Sequence, residues 1–265
     1  MRVGDIDVEP VYDGHATERA REVLTVPGHR GDPWAGHTDL LDGEGNLHLT
    51  LGGFLIRSSG RVIVVDAGVG TIDNDKYHGG GFLDSLRGLG VSPAEVTDVV
   101  FTHLHFDHVG WATQKGQVVF PNAVYRVHAA DWEHFVERPG SDPGAIRKLA
   151  PLAAQLALFD RDTTIAPGLS TRHAPGHTPG STVYIVSSHE ERALLIGDVA
   201  HSVVELTDPT WEAIFDVDPA GARATRATIA GEATDAPDLL AAAHFPGLRF
   251  GRLITVRGRR HFAFI

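Results

Sequence analysis

The stretch Phe101-Thr102-His103-Leu104-His105-Phe106-Asp107-His108-Val109-Gly110-Trp111 constrains this chain more than any other. Three histidines and an aspartate fall within residues 103 to 108. Imidazole nitrogens and carboxylate oxygens are the donors that zinc and other borderline dications take. The spacing limits how the backbone can run. On a helix, side chains two apart point to nearly opposite sides, so His103 and His105 could not share an ion there. On an extended segment they point the same way. Asp107 and His108 are adjacent and diverge, which suits a second ion beside the first. Upstream, Val96-Thr97-Asp98-Val99-Val100-Phe101 is β-branched and apolar, as a buried strand should be. Gly110 and the small residues beyond it predict a turn into a helix. The donors therefore stand on a loop at the carboxyl end of a strand, where open α/β proteins place their sites.

The chain is rich in histidine, with 16 in 265 residues. The restrictive spacing still argues against coincidence. A purely structural zinc site would be closed, four-coordinate and usually cysteine-rich, and this chain has no cysteine. The lack of disulfides fits a reducing compartment. A net charge of −11 leaves no basic stripe for a phosphate backbone, so no nucleic-acid partner is expected. The first residues, Met1-Arg2-Val3-Gly4-Asp5-Ile6-Asp7, carry acids where a signal peptide needs an apolar core. The longest apolar run, 149–159, is too short to span a bilayer. These features predict a cytoplasmic protein without a membrane partner.

Taken in order, residues 3–11 alternate as a strand. Residues 13–47 carry little periodicity and read as a long irregular segment, with Trp34 either in a flap over the site or as the segment's own anchor. Residues 48–57 and 61–66 read as a hairpin around Ser58-Ser59-Gly60. The second strand ends in Asp66-Ala67-Gly68, an aspartate that either accepts a hydrogen bond from the histidine loop or is a plain turn residue. A helix is expected over 82–89, and Ser92-Pro93-Ala94-Glu95 is an N-terminal capping signature. A strand over 123–127 and a helix over 130–137 follow, then a longer helix over 143–159 with an Ala-Leu face for the core or a second subunit. Strands return at 163–165, 169–171, 183–187 and 192–196. An Ala-rich helix is expected over 220–231, an apolar run over 239–243, and a closing hairpin of 252–256 with 261–265. Two β-α halves that send loops to one edge suggest two packed sheets with helices outside.

Three more loops follow apolar strands and open on metal-type residues: His177, Asp198 and His244. With His103, His105, Asp107 and His108 they make seven donors, more than one ion can use. Two ions about 3.5–4 Å apart, bridged by a carboxylate and a hydroxide, would use them all. Asp198 is the natural bridge, because a carboxylate has two oxygens to offer. Such a centre, with about one net positive charge before substrate enters, favours an anionic intermediate over a neutral ester.

The run His103-x-His105-x-Asp107-His108, then His177, Gly197-Asp198 and His244, preceded by Asp66, resembles the metallo-β-lactamase-fold hydrolases. The likeness spans nearly the whole chain. It implies a single domain over 1–265 with a four-layer αββα sandwich. It also implies one ion on His103, His105 and His177, a second on Asp107, His108 and His244, and Asp198 between them. The ions implied are Zn2+, with Mn, Fe or Co as alternatives, and the oligomer implied is a homodimer. The stretches 102–110, 173–180, 197–201, 215–218 and 243–247 are similar to methyl-parathion-hydrolase-like and acyl-homoserine-lactonase-like proteins. Many homoserine lactonases carry a tyrosine three residues after the bridging aspartate, where this chain has His201. The resemblance implies a hydrolase of neutral, apolar lactone or carboxylic esters that uses a metal-bridging hydroxide. Organophosphate or aryl-ester hydrolysis is the alternative, and glyoxalase-type thioester hydrolysis a more distant one. Asp107 and His201 are the expected proton-handling residues, with His201 read equally as an oxyanion contact or as a packed or solvent-facing histidine. Phe106, Trp111, Trp132, Phe135, Trp211 and Phe215 are candidates for an apolar pocket or for core packing. No Arg or Lys adjoins the motif loops, which argues against a highly charged phosphate substrate.

Overall fold

The computed structural model describes residues Met1–Ile265. Two sheets lie face to face. The first collects β1 (Arg2–Val3), β2 (Ile6–Arg19), β3 (Asn46–Ser58), β4 (Arg61–Val65), β5 (Asp98–Val100), β6 (Val124–His128) and β7 (Leu156–Phe159) in spatial order, with Tyr77–His78 added beside β2. The second runs β8 (Thr164–Ala166), β9 (Leu169–His173), β10 (Thr182–Ser188), β11 (Glu191–Leu195), β12 (Leu239–Ala241), β13 (Gly251–Val256) and β14 (Arg259–Phe264), again in order. Near the site the pairings β4–β5, β5–β6 and β11–β12 are parallel. Parallel neighbours need crossover connections, and most of these carry the helices. α1 (Phe82–Gly88) lies between β4 and β5. α2 (Ala129–Trp132) and α3 (Pro143–Leu149) lie between β6 and β7, and α4 (Val203–Thr207) and α5 (Pro219–Ala233) between β11 and β12.

Alternation along the strands builds the layers. Ile63 and Val65 enter the core between the sheets, with Phe54, Ile56, Tyr184 and Leu195. Leu55 and Val64 face the other way and pack with Phe82 and Leu86 of α1. On the far side Leu194, Ile196 and Leu240 meet Ile229, Ala230 and Ala233 of α5. The period of two is the pleat, and the result is the expected α, β, β, α layering. No helix is long and apolar enough to cross a membrane.

Three expectations are corrected. Residues 13–19 are not irregular: β2 continues to Arg19, paired with β3 across a register shift between Tyr12 and Gly14. That bulge turns Asp13 inward, where its carboxylate accepts from the backbone N–H groups of Val69, Gly70, Gly80 and Phe82 and from the Trp111 indole. A single buried carboxylate thus ties three segments together, and the bulge hides the strand's period. Trp34 in the following loop is fully buried. Its indole donates to the Leu24 carbonyl at 3.1 Å and its ring packs edge-on against Trp211, so it anchors the segment.

No helix follows Gly110. A tight hairpin pairs Thr113–Gln114 with Gln117–Val118. Lys115 and Gly116 both have positive φ, 51° and 77°, as a type I′ turn needs. The long helix expected over 143–159 stops as α-helix at Leu149 and tightens to a 3-10 turn over Ala150–Gln155. Pro151 lacks the N–H that continuation requires. Leu156–Phe159 then pairs in parallel with β6 as the sheet's edge.

Candidate metal centre

Each motif loop leaves the carboxyl end of a strand, and all reach the same edge of the sandwich. β5 leads to His103, His105, Asp107 and His108. β9 leads to His177, β11 to Asp198 and β12 to His244. The approach is close. A Cβ on Gly197 would lie 2.7 Å from the Thr102 side chain, and one on Gly176 would lie 2.2 Å from the Ala222 backbone. Both glycines also have positive φ, so neither position accepts a larger residue without strain.

The donors separate into two groups. His103, His105, His177 and Asp198 form one, and Asp107, His108 and His244 the other. In the first, His103 Nε2, His105 Nδ1 and His177 Nε2 stand 3.0, 3.2 and 2.9 Å apart. Asp198 Oδ2 is 3.8 Å from His103 Nε2 and 3.5 Å from His177 Nε2. In the second, His244 Nε2 is 3.5 Å from Asp107 Oδ2, and His108 Nε2 is 3.8 Å from the same oxygen. Asp198 also reaches this group, with Oδ1 3.4 Å from His108 and Oδ2 3.1 Å from His244. Asp198 therefore lies between the two.

The remaining ring nitrogens say what the inner ones carry. His177 Nδ1 lies 3.0 Å from Asp216, His108 Nδ1 2.9 Å from Asp66 and His244 Nδ1 3.0 Å from the Thr50 carbonyl. His103 Nδ1 faces Thr102 Oγ1, whose own proton goes to Asp66. Each of these four outer nitrogens is placed to donate, which leaves the inner nitrogen of the neutral ring with a lone pair. Burial holds His103 and His177 below the ordinary imidazole value and takes His105 to about 3, so these rings stay neutral. Burial opposes charge on His108 and His244 too, but Asp198 and its neighbouring carboxylates outweigh it and raise both. His108 Nε2 and Asp198 Oδ1 are buried without any partner. Lone pairs crowded to about 3 Å repel unless a cation sits among them. Four donors around zinc at its usual bond length would stand about 3.3 Å apart. The residues fit two dications.

His201, from the same turn as Asp198, is 3% exposed. Its Nε2 lies 3.4 Å from Asp198 Oδ2 and its Nδ1 3.6 Å from Glu205 Oε1. Burial would lower this ring, but Glu205 and Asp198 outweigh it and hold it up at about 10. Two cavities meet here. One, about 160 Å³, opens on both donor groups, and the other, about 320 Å³, lies beyond, with His201, His244 and Leu49 as the wall they share. Neither cavity is lined by Lys or Arg. Of the candidate aromatics, Phe106 and Phe215 line the first cavity, and Phe135 packs edge-on against His105. Trp111, Trp132 and Trp211 are core residues.

The structure also supplies residues that the sequence reading overlooked. Arg226 of α5 is fully buried. It lies 3.0 Å from Glu205 and 3.4 Å from Asp216, so one guanidinium backs both His201 and His177. Asp131 of α2 accepts from the Leu104 and Gly180 N–H groups and joins the first histidine loop to the His177 loop. Ser202-x-x-Glu205 is a capping box and was readable as one. Asp131 and Arg226 left no local signal. Lys148 donates to the Gly110 and Thr113 carbonyls, so a cation does adjoin the motif loop, brought there by α3.

A sequence model described as the metallo-beta-lactamase superfamily matches residues 53–244, a span that holds all seven donors. The N-acyl homoserine lactonase AiiA of Bacillus thuringiensis subsp. kurstaki is 22% identical over 188 residues, 64% of this chain and 72% of that protein. The N-acyl homoserine lactonase AttM of Agrobacterium fabrum is 32% identical over 124 residues, 44% of this chain and 45% of that protein. Among solved structures, the dizinc quorum-quenching lactonase AidC superposes with a TM-score of 0.85 at 23% identity, covering 100% of this chain and 95% of its own. The hydrolase AbOPH superposes at 0.84 with 23% identity and the same coverage. These two likenesses concern the fold.

Proposed function

The chain belongs to the metallo-beta-lactamase superfamily, and from that premise we propose that it is a dinuclear metal hydrolase of neutral, apolar lactones or carboxylic esters. The supporting observation is the arrangement of two donor groups around one shared carboxylate, Asp198, at the floor of a cavity that no Lys or Arg lines. Zinc is the proposed metal, in keeping with the nitrogen-rich donor set. When bound, the pair of dications supplies a nucleophile near neutral pH and polarises the scissile carbonyl. His103, His105 and His177 would hold one ion and Asp107, His108 and His244 the other, with Asp198 shared between the two donor groups.

The chain's own groups do the rest. Phe106 and Phe215 seat an apolar arm of the substrate and exclude water from it. Asp107 lines the cavity beside His244 and can reach the departing oxygen. His201 stands at the junction of the cavities and carries a proton at Nε2 to give to the departing oxygen. Glu205, 3.6 Å from Nδ1, favours the protonated ring.

A hydrolysis panel on zinc-loaded protein tests the reading, with lactones, aryl esters, thioesters and phosphotriesters compared by kcat/KM. Lactones or carboxylic esters are expected to lead. Turnover of phosphotriesters or thioesters with none of lactones or carboxylic esters would overturn the reading.

A further inference from the structure

The hydrolytic reading leaves the second cavity without a task. At about 320 Å³ it is twice the size of the first, at about 160 Å³, and His201 stands on the wall they share. His201 is buried, and neither of its ring nitrogens has a hydrogen-bond partner. The first cavity opens on both donor groups, so the acyl carbon is attacked there. The oxygen that departs takes its proton from His201, at the boundary, and the arm attached to that oxygen continues into the second cavity.

The two spaces differ in chemistry. Leu49, Leu51, Phe106 and Phe215 line the first, and Glu18 there is engaged by Tyr77 and Lys76. In the second, strand pairing builds a polar wall. His15 of β2 stands opposite Thr50 of β3, and Thr17 opposite His48. Opposite residues, and residues two apart, share a face of the pleat, so all four side chains point one way. His48 is fixed by Asp42 at 3.0 Å and meets Thr17 Oγ1 at 3.4 Å. Thr50 Oγ1 accepts from the Gly247 N–H at 2.9 Å, which leaves its own proton to give. Asp39, an exposed carboxylate, adds an acceptor to the same lining, and Ser202 a second hydroxyl; Leu47 is among the apolar side chains that complete it. A substrate hydroxyl can use both a donor such as Thr50 and an acceptor such as Asp39, whereas an anionic arm would be repelled by Asp39. We infer that the second cavity takes the alcohol arm of the substrate and selects an arm that carries hydroxyl groups, while the acyl arm stays in the apolar first cavity. The inference rests on the proposed hydrolytic reading and narrows its substrate class to esters of polyhydric alcohols, or lactones with a hydroxylated substituent on the carbon that bears the ring oxygen.

Binding and turnover separate the two claims. N-(2-hydroxyethyl)hexanamide and its isostere N-propylhexanamide resist hydrolysis, and their N-substituents stand for the alcohol arm. Both are titrated calorimetrically into the zinc-loaded enzyme. The matching esters, 2-hydroxyethyl and propyl hexanoate, are assayed by kcat/KM, each divided by its rate in hydroxide alone. The hydroxyl on the alcohol arm should tighten binding by about fivefold or more, as one neutral hydrogen bond does, and the normalised kcat/KM should follow. The same group at the end of the acyl arm, in 6-hydroxy-N-propylhexanamide against N-propylheptanamide, should weaken binding. Thr50→Val removes the free hydroxyl and should bring the alcohol-arm ratio to within about twofold. His15 is exposed, so His15→Leu alters the same wall from the surface and should also lower the ratio; it carries the test if Thr50→Val does not fold. A parent ratio under about twofold, a preference for the hydroxyl on the acyl arm instead, or a ratio unchanged in the folded variants would overturn the inference. Absence of ester and lactone turnover with the binding ratios intact would count against the hydrolytic reading alone.

Discussion

His201 differs from the other histidines of the centre. Both its ring nitrogens are buried without a hydrogen-bond partner, and it touches both cavities. His201→Ala should leave two ions bound and lower kcat by about 10²-fold or more, as loss of a general acid does. Metal analysis beside steady-state kinetics checks this, and unchanged kcat would remove His201 from the mechanism. Asp66 acts one step back. It sits at φ 59°, unusual for a non-glycine residue, and holds Thr102 through its N–H and hydroxyl and His108 through Nδ1. Asp66→Asn should weaken metal retention by about 10–100-fold, read by chelator competition. Residues of this kind were legible to different degrees. The seven donors and Asp66 stand beside recognisable strands and turns. Arg226 and Asp131 act through contacts 10 to 49 residues away in sequence, and only the folded chain brings those partners to them.

Between elements, Asp131 is the clasp that holds the His103–His108 loop against the His177 loop. Burial raises its carboxyl to about 6, with the two N–H donors pulling the other way. A carboxyl raised on folding binds more protons in the native state. The stability it contributes is therefore complete below the unfolded value of 3.8 and is lost as pH rises through about 6. Denaturant melts of the metal-free protein should show stability falling between those limits, and Asp131→Asn should flatten that slope. An identical slope in the variant would count against the clasp's protonation. Element prediction succeeded where periodicity and turn chemistry agreed, as in the β3–β4 hairpin and α5. It failed at α3, where Pro151 interrupts an otherwise helical Ala-Leu pattern and the sheet claims Leu156–Phe159. It failed again along β2, where the bulge at Asp13 breaks the alternation that would have revealed the strand.

Across the whole molecule, both sheets and both outer helical layers converge on the metal edge, so occupancy and stability are linked. Removing the ions leaves the buried donors of both groups crowded together without the charge that the ions supply. At free zinc a thousandfold above Kd, binding contributes about 4 kcal/mol, on the order of 10 °C in Tm for a chain of this size. Exhaustive chelation should remove that increment, and added zinc should restore it in a thermal melt. The overall plan was readable early, because the donors' order along the chain carries the topology with it. The charge of −11 told less, since bound dications offset part of it at the one place where it matters. The most direct measurement of the central claim is anomalous diffraction at the zinc edge from crystals of metal-loaded protein. Two peaks are predicted about 3.5–4 Å apart, one among His103, His105 and His177, the other among Asp107, His108 and His244, with Asp198 touching both. A single peak, or a centre in which Asp198 or His244 turns away from the ions, would contradict it.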